Sequence, residues 1–312
     1  MSKRISIGTW AYSIGPYEQN PVPFPEVVSK LHDLGFNGLE LGGFGVHPNP
    51  DLQTTKEARA EVRDLWESRG MGCSGLAADL WGEALITAPS NESYLATFRK
   101  NVEFCNDLGI DVIRVDTTED PRVLGQVGDE PALEDKPVVD YNQALKRVCE
   151  TWNECAKIAG DAGVRVVWEF EPGFAFNKPS DVFRVLDGVN HDNFSTMFDT
   201  CHANMVAVYG SRQPGEQETL PGGIAELARK LNGKIGRLHL IDSDGTLHDN
   251  HTSTHPPFGE GNLDFGAIMP DIVAAGSPDD WWTIDLCFWP DAWAATAKCK
   301  TAIDELAKTY GG

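Results

Sequence analysis

With 312 residues the chain can bury one large core, and α/β barrels commonly exceed the usual domain size as a single unit. Asp and Glu number 47 against 26 Lys and Arg, a formal charge of -21 that repels nucleic-acid phosphates and anionic membrane surfaces. The N-terminus MSKRISIGTW has no long apolar signal core and no apolar run approaches a membrane span. The seven cysteines form no CxxC pair, so the expectation is a cytoplasmic protein with reduced thiols.

In chain order, short apolar runs alternate with amphipathic stretches. A strand over 5–10 (ISIGTW) precedes a helix over 23–34, closed by Gly35, and a strand over 36–41 that carries Glu40 into a Gly-rich loop. A helix over 54–69 ends at Gly70, a left-handed cap, and a strand follows over 71–76. Ser90 opens a helix to 108 that Gly109 stops, and 110–116 (IDVIRVD) is the fourth strand. The polar stretch 117–137 is long for a connection and is expected to wall a site. Then come a helix over 140–161, a strand over 164–171, a helix capped by Ser180, and a strand ending at Asp199. A loop over 203–220 leads to a helix over 222–231, a strand from 235 carrying His239, and a loop rich in Asp, His and Pro. A helix over 265–275, a strand over 281–286 and a helix over 290–308 complete the chain.

Eight strands alternating with eight helices at this length predict a single-domain α/β fold over residues 1–312, a (β/α)8 TIM barrel. An open doubly wound sheet would want a Gly-rich phosphate loop after the first strand, and GTWAYSIG is not one. Strand side chains alternate between faces, so Glu169 and Glu171 share a face with Val167 while Trp168 and Phe170 point away. By the same count Asp199 follows Met197, His239 follows Arg237 and Asp285 follows Thr283. Four strand ends thus aim metal-capable side chains at one place.

The stretches GVRVVWEFEPG, FDTCHA, GRLHLIDSDG with PFGEGNLDF, and WWTIDL resemble the successive strand ends of the xylose-isomerase-like sugar isomerase/epimerase barrels. The resemblance covers nearly the whole chain and implies a divalent metal held by a fifth-strand Glu, Asp199, His239 and an eighth-strand acid. Counting six residues from Gly163 selects Glu169 as that glutamate, and the family's Glu-Pro step selects Glu171. Glu169 is taken as the ligand, with Glu171 left to contact substrate or move a proton. Asp285 departs from the Glu usual in the sugar epimerases, which shortens its reach as a base. The likeness extends to Trp10 at the first strand and the acid Glu40 at the second, and implies a substrate contact from His202 through a DxxH pattern; Arg114, which shares a strand face with Asp116, could bind a substrate hydroxyl or carboxylate, and Trp10, Glu40 and Asp242 are further candidate substrate contacts. A hydrogen-bonded helix-start histidine is the plainer reading of His202, and an internal ion pair is that of Arg114 with Asp116. His248, His251 and His255 read as a polar loop before a second metal site. Trp10, Trp81, Phe174 and Trp289 could present apolar faces to a sugar ring.

Three carboxylates and an imidazole suit Mn²⁺ first, with Mg²⁺ or Co²⁺ as alternatives. Such an ion beside Glu169, Glu171 and Asp285 supports proton abstraction next to a carbonyl, hence isomerisation or epimerisation of a sugar, keto-sugar or inositol derivative. The same enolate gives β-elimination if a β substituent leaves, which the Asp285 departure favours. A non-catalytic sugar-binding barrel, alone or with a partner subunit, is the reading from another class, and an intact ligand set speaks against it. The related abasic-site endonucleases want a basic groove that this charge denies. The expected partner is a small carbohydrate, with homo-oligomers or a hetero-oligomer open. No cluster of Lys and Arg marks a phosphate site, although Arg212 could serve one.

Overall fold

The computed structural model describes residues 3–312. Its strands are β1 Arg4–Ile7, β2 Gly38–Gly43, β3 Gly72–Ala78, β4 Val112–Val115, β5 Arg165–Glu169, β6 Phe194–Asp199, β7 Ile235–Leu240 and β8 Trp281–Ile284. The helices are α1 Phe24–Asp33, α2 Lys56–Glu67, α3 Glu92–Leu108, α4 Tyr141–Asp161, α5 Pro179–Val189, α6 Thr200–Asn204, α7 Gly223–Lys230, α8 Phe265–Ala275 and α9 Ala292–Tyr310. All seven strand pairings are parallel, in the order β1-β8-β7-β6-β5-β4-β3-β2, and a parallel bridge from Gly8 to Glu40 brings the two edges together. The result is a (β/α)8 TIM barrel.

Alternation sorts the strand residues as the sequence predicts. Val166, Trp168, Phe198, Leu238, Trp282 and Ile284 join the core between sheet and helices. Val112, Val167 and Met197 form a separate cluster in the lumen. Ser6 bridges the lumen to Ser74 and Thr283, 2.8 Å from each. Gly38 and Gly72 leave room for the Trp281 ring; a Cβ on Gly38 would sit 2.6 Å from it. In the outer core Trp168 lies 5.4 Å from Trp152, and Trp168→Ala should cost about 3–5 kcal/mol through the cavity it leaves.

Several boundaries differ from expectation. The first strand stops at Ile7, because Thr9–Tyr12 tightens into a 3₁₀ turn that carries Trp10 back over the barrel mouth. Glu171 and Asp285 lie just past their strands. The start of 203–220 is not an open loop: α6 runs into a π-helical turn, Met205–Tyr209. Asn91, not Ser90, precedes α3, and Ser180 falls inside α5, which begins at Pro179 with its fixed φ. No helix among the described residues is long and apolar enough to cross a membrane.

Candidate metal centre and active-site cavity

Glu169 closes β5, Asp199 closes β6, His239 sits one residue before the end of β7, and Asp285 follows β8 by one residue. Parallel registry lays His239 beside Asp199 on one flank and beside Thr283 on the other. Each of the four side chains offers one donor atom, and these atoms all lie within 4.8 Å of one another. None of the four residues is more than 2% exposed. Glu169 Oε1, Asp199 Oδ2 and His239 Nδ1 have no hydrogen-bond partner. Yet His239 Nδ1 lies 2.8 Å from Glu169 Oε1 and 3.7 Å from Asp285 Oδ2. Buried polar atoms are rarely left unpaired; atoms that crowd together without bonding one another are aimed at a common point. A divalent cation fits this donor set, because its charge would offset the repulsion among three desolvated carboxylates.

Each donor is steadied from behind, as metal ligands generally are. His239 Nε2 lies 3.1 Å from Glu40 Oε2, which leaves Nδ1 to face the centre. The Trp10 indole N–H donates to Asp285 Oδ1 over 2.7 Å, Arg114 donates to Glu169 Oε2, and the His202 backbone N–H donates to Asp199 Oδ1 over 2.8 Å. Burial drives Asp199 well above the carboxylate range, and Asp285 and Glu169 drive it further. Burial presses on Glu169 too, but Arg114 and His239 outweigh it and hold that carboxyl at about 2. Burial likewise opposes the His239 imidazolium, and Glu40 with Glu169 overcomes it, raising His239 well above its ordinary value. Both shifts favour the protonated forms of Asp199 and His239, and a cation at the common point would supply positive charge in place of those protons.

Above these donors opens a cavity of about 590 Å³ whose lining includes Glu169, Asp285, Arg114, Glu171, His202 and His255. Of the expected substrate contacts, Trp10, Arg114 and His202 line it. Two do not. Glu40 is 1% exposed and committed to His239, because the β2 register turns its side chain into the lumen behind the imidazole. Asp242 lies beyond β7 and accepts the backbone N–H groups of Ser243, Gly259 and Leu263, which ties down the following loop. Trp81 and Phe174 line the cavity, whereas Trp289 packs against the outer core.

The long loops are distributed differently from expectation. Residues 117–137 contribute no lining to this cavity. They pack on 203–220 through Arg212, which donates to both Asp120 and Glu130 and so has no capacity left for a phosphate. The wall comes instead from the loop after β7, where an antiparallel bridge between Leu247 and Ser253 folds the chain back and brings His248, Asn250, Thr252 and His255 to the lining. His255 is not part of an open polar loop. It is 1% exposed, both ring nitrogens lack partners, and Nε2 lies 3.8 Å from Asp199 and from Asp285. With Asp199 and His202 it forms a second group of close donor atoms. No local spacing marks His255, since a hairpin and not a strand period delivers it.

The fold recurs among solved structures at low identity. A D-psicose 3-epimerase from Clostridium cellulolyticum H10, solved with D-tagatose, superposes with a TM-score of 0.71 at 14% identity, covering 98% of this chain and 99% of that one. An IolI protein with a bound zinc atom gives 0.69 at 16% identity, covering 98% and 99%. In sequence, an inosose dehydratase from Glaesserella parasuis serovar 5 (strain SH0165) is 25% identical over 179 residues, 57% of this chain and 54% of that protein. The chain thus spans about half the length of that curated relative. Over residues 28–302, the greater part of the barrel with all four converging donor residues, it matches the model of the xylose isomerase-like TIM barrel family, and it belongs to that family.

Proposed function

We propose that the chain is a divalent-metal-dependent enzyme that takes a proton from the carbon beside a carbonyl of a neutral sugar, keto-sugar or inositol derivative. The observation that carries this reading is the convergence of donor atoms from Glu169, Asp199, His239 and Asp285, those of the first three unpaired, at a cavity lined by Glu169, Asp285 and Glu171. These four residues would hold the ion, Mn²⁺ first, with Mg²⁺ or Co²⁺ as alternatives. When bound, it would supply Lewis-acid stabilisation of negative charge developing on a substrate oxygen. On this reading residues 1–312 act as one barrel domain, and thiols without a disulfide among the described residues suit a reducing cytoplasm.

Glu171 is assigned the proton transfer. Burial, reinforced by Asp116, pushes its carboxyl up to about 8, and the Thr252 hydroxyl donates to Oε2. Such a group holds a proton at neutral pH and can both give and take one. His202 Nε2 lies 4.0 Å from Glu171 Oε2 while Nδ1 pairs with Ser253 Oγ over 2.8 Å. Burial, helped by the neighbouring His255, brings His202 down to about 3, so a neutral imidazole meets the substrate hydroxyls. Arg114 is the one Lys or Arg among the described lining residues, and the charges of Glu169 and Asp116 beside it outweigh its own, which argues against a phosphorylated substrate.

The proton returning at the same carbon or its neighbour gives epimerisation or isomerisation. Loss of a β substituent gives a dehydratase or lyase, and Asp285 favours this second reading. Its Oδ1 is taken by Trp10 and its Oδ2 faces His239, so Glu171 remains as the free acid-base where epimerisation wants one on each face. The likeness to an inosose dehydratase supports the same side. Incubation of the manganese-loaded protein with an inosose and with a ketose in deuterated water should place deuterium at the carbon α to the carbonyl. A stereoisomer or aldose-ketose pair identifies the first reading and an unsaturated ketone the second. Turnover without solvent exchange would remove the proton-transfer role of Glu171.

A further inference from the structure

The cavity changes character from floor to mouth. Its floor is charged, but Trp10 leans over His239 with ring centroids 5.8 Å apart and begins an apolar strip. Trp10, Phe44 and Ala77 pack together in a cluster separate from the main core, with Ile14 and Cys287 against it. Phe44 in turn carries Trp81, ring centroids 4.7 Å apart. Trp10 is 2% exposed, Phe44 5% and Trp81 40%, so the strip runs from the buried centre out to water. Trp81 is also anchored: its indole N–H donates over 3.3 Å to Oδ2 of Asp116, the carboxylate just past β4. Phe288 adds a further aromatic face to the lining, stacked on His248 at 4.6 Å with an 18° tilt.

Large aromatic side chains held against water at a cavity mouth mark a surface made to be covered. A volume of about 590 Å³ sits within the roughly 300–1,000 Å³ of pockets that take drug-sized ligands. We infer that the substrate is a polyol ring joined to a flat apolar substituent, such as an aryl glycoside, with the ring over the charged floor and the substituent on Phe44 and Trp81. This rests on the polyol-ring reading of the floor given above and adds the substituent. Arg114 is the one Lys or Arg of the described lining, and Glu169 and Asp116 outweigh its charge, so the cavity is not built to select an anionic substituent instead.

Two inert probes separate the parts: methyl β-D-glucoside and phenyl β-D-glucoside, titrated calorimetrically into the manganese-loaded protein. The phenyl glucoside should bind about five- to tenfold more tightly, the gain an aromatic contact typically adds. In Trp81→Ala the ratio of the two affinities should fall to about one, and Trp81→Phe should restore most of it. Equal affinities in the wild-type protein, or a ratio untouched by Trp81→Ala, would overturn the inference while leaving the polyol reading in place. If neither glucoside binds, the polyol reading itself fails and this inference falls with it.

Discussion

Two arginines of this barrel stand in nearly the same surroundings and come to opposite ends. Arg114 and Arg212 are each 7% exposed and each sits between two carboxylates. Arg212 is closed. Its Nε and Nη2 donate to Glu130 at 2.8 and 2.7 Å, Nη2 also reaches Asp120 Oδ2 at 2.7 Å, and Nη1 faces the carbonyl of Pro172 at 3.4 Å. Arg114 is open: its Nε has no partner, and neither does Asp116 Oδ1 or Glu169 Oε1. The titration follows the geometry. Burial is opposed at Asp120 by hydrogen bonds from Arg122 and Arg212, which bring it down to about 2; at Asp116 burial wins over Arg114 and lifts the carboxyl to about 6. A saturated ion cluster joins loops, whereas this one, in which two carboxylates outnumber one guanidinium, keeps unpaired carboxylate oxygens for a group that arrives later.

If that distinction holds, substitutions in the open group should change chemistry and those in the closed group should change stability. The largest effect is expected at Glu171, beside the open group. Glu171→Gln keeps the shape and the Thr252 contact but removes the proton, so turnover should fall by about 10²- to 10⁴-fold with bound manganese unchanged. Parallel assays and metal analysis decide it; equal losses of metal and turnover would make Glu171 a ligand and reopen the choice between the two glutamates.

Next comes Arg212→Ala, which leaves Asp120 and Glu130 with Arg122 as their one remaining cation among the described residues. Breaking a buried pair by removing one partner costs roughly 3–5 kcal/mol. The two carboxylates keep 20% and 25% of their side-chain surface in water, so the lower end, about 3 kcal/mol, is expected in urea unfolding. Metal content of the folded variant should match the wild type. Lost metal without lost stability would break the comparison at its closed end.

A smaller effect is expected one layer behind the centre. Glu40→Gln weakens the hold on His239 Nε2 without touching the donor atoms, and outer partners of this kind are worth about 10- to 100-fold in metal affinity. Competition against a chelator measures it, and an unchanged affinity would show that barrel packing alone orients the ring.

The difference between the open and closed groups also marks what the sequence could tell. Glu169, Asp199, His239 and Asp285 were legible because each ends or follows an apolar run, and a period of two fixes the face. The barrel itself was legible for the same reason, repeated eight times with helices between. Nothing local reports that Trp10 and Asp285, 275 positions apart, share a hydrogen bond, or that Glu40 turns behind His239. Those contacts exist only once the ring closes between Gly8 and Glu40. Residues 117–137 looked like a site wall by length alone. Their partner is Arg212, whose positive φ of 53° and long reach have no signature in spacing. His255 was hidden in the same way, by a hairpin that no strand pattern announces.

The smallest effect concerns acid and separates the closed group from the rest of the molecule. Asp120 is depressed in the folded protein from an ordinary 3.8 to about 2, through Arg122 and Arg212 against burial. A depressed carboxyl contributes stability that is fully present above its unfolded value and is lost as pH falls through the folded one. The window is therefore about pH 4 down to about pH 2, and partial exposure of the carboxylate reduces the contribution to about 1 kcal/mol. Other carboxylates also protonate in that range, so acid unfolding of the wild type alone says little. The informative quantity is the stability gap between wild type and Arg212→Ala, measured by urea titration at pH steps from about 5 to 2.5. That gap should narrow as pH falls, because protonating Asp120 removes in the wild type what the substitution has already removed in the variant. A gap that stays constant would mean that Arg212 stabilises the loops by packing its stem, and that the closed group is held by contact and not by charge.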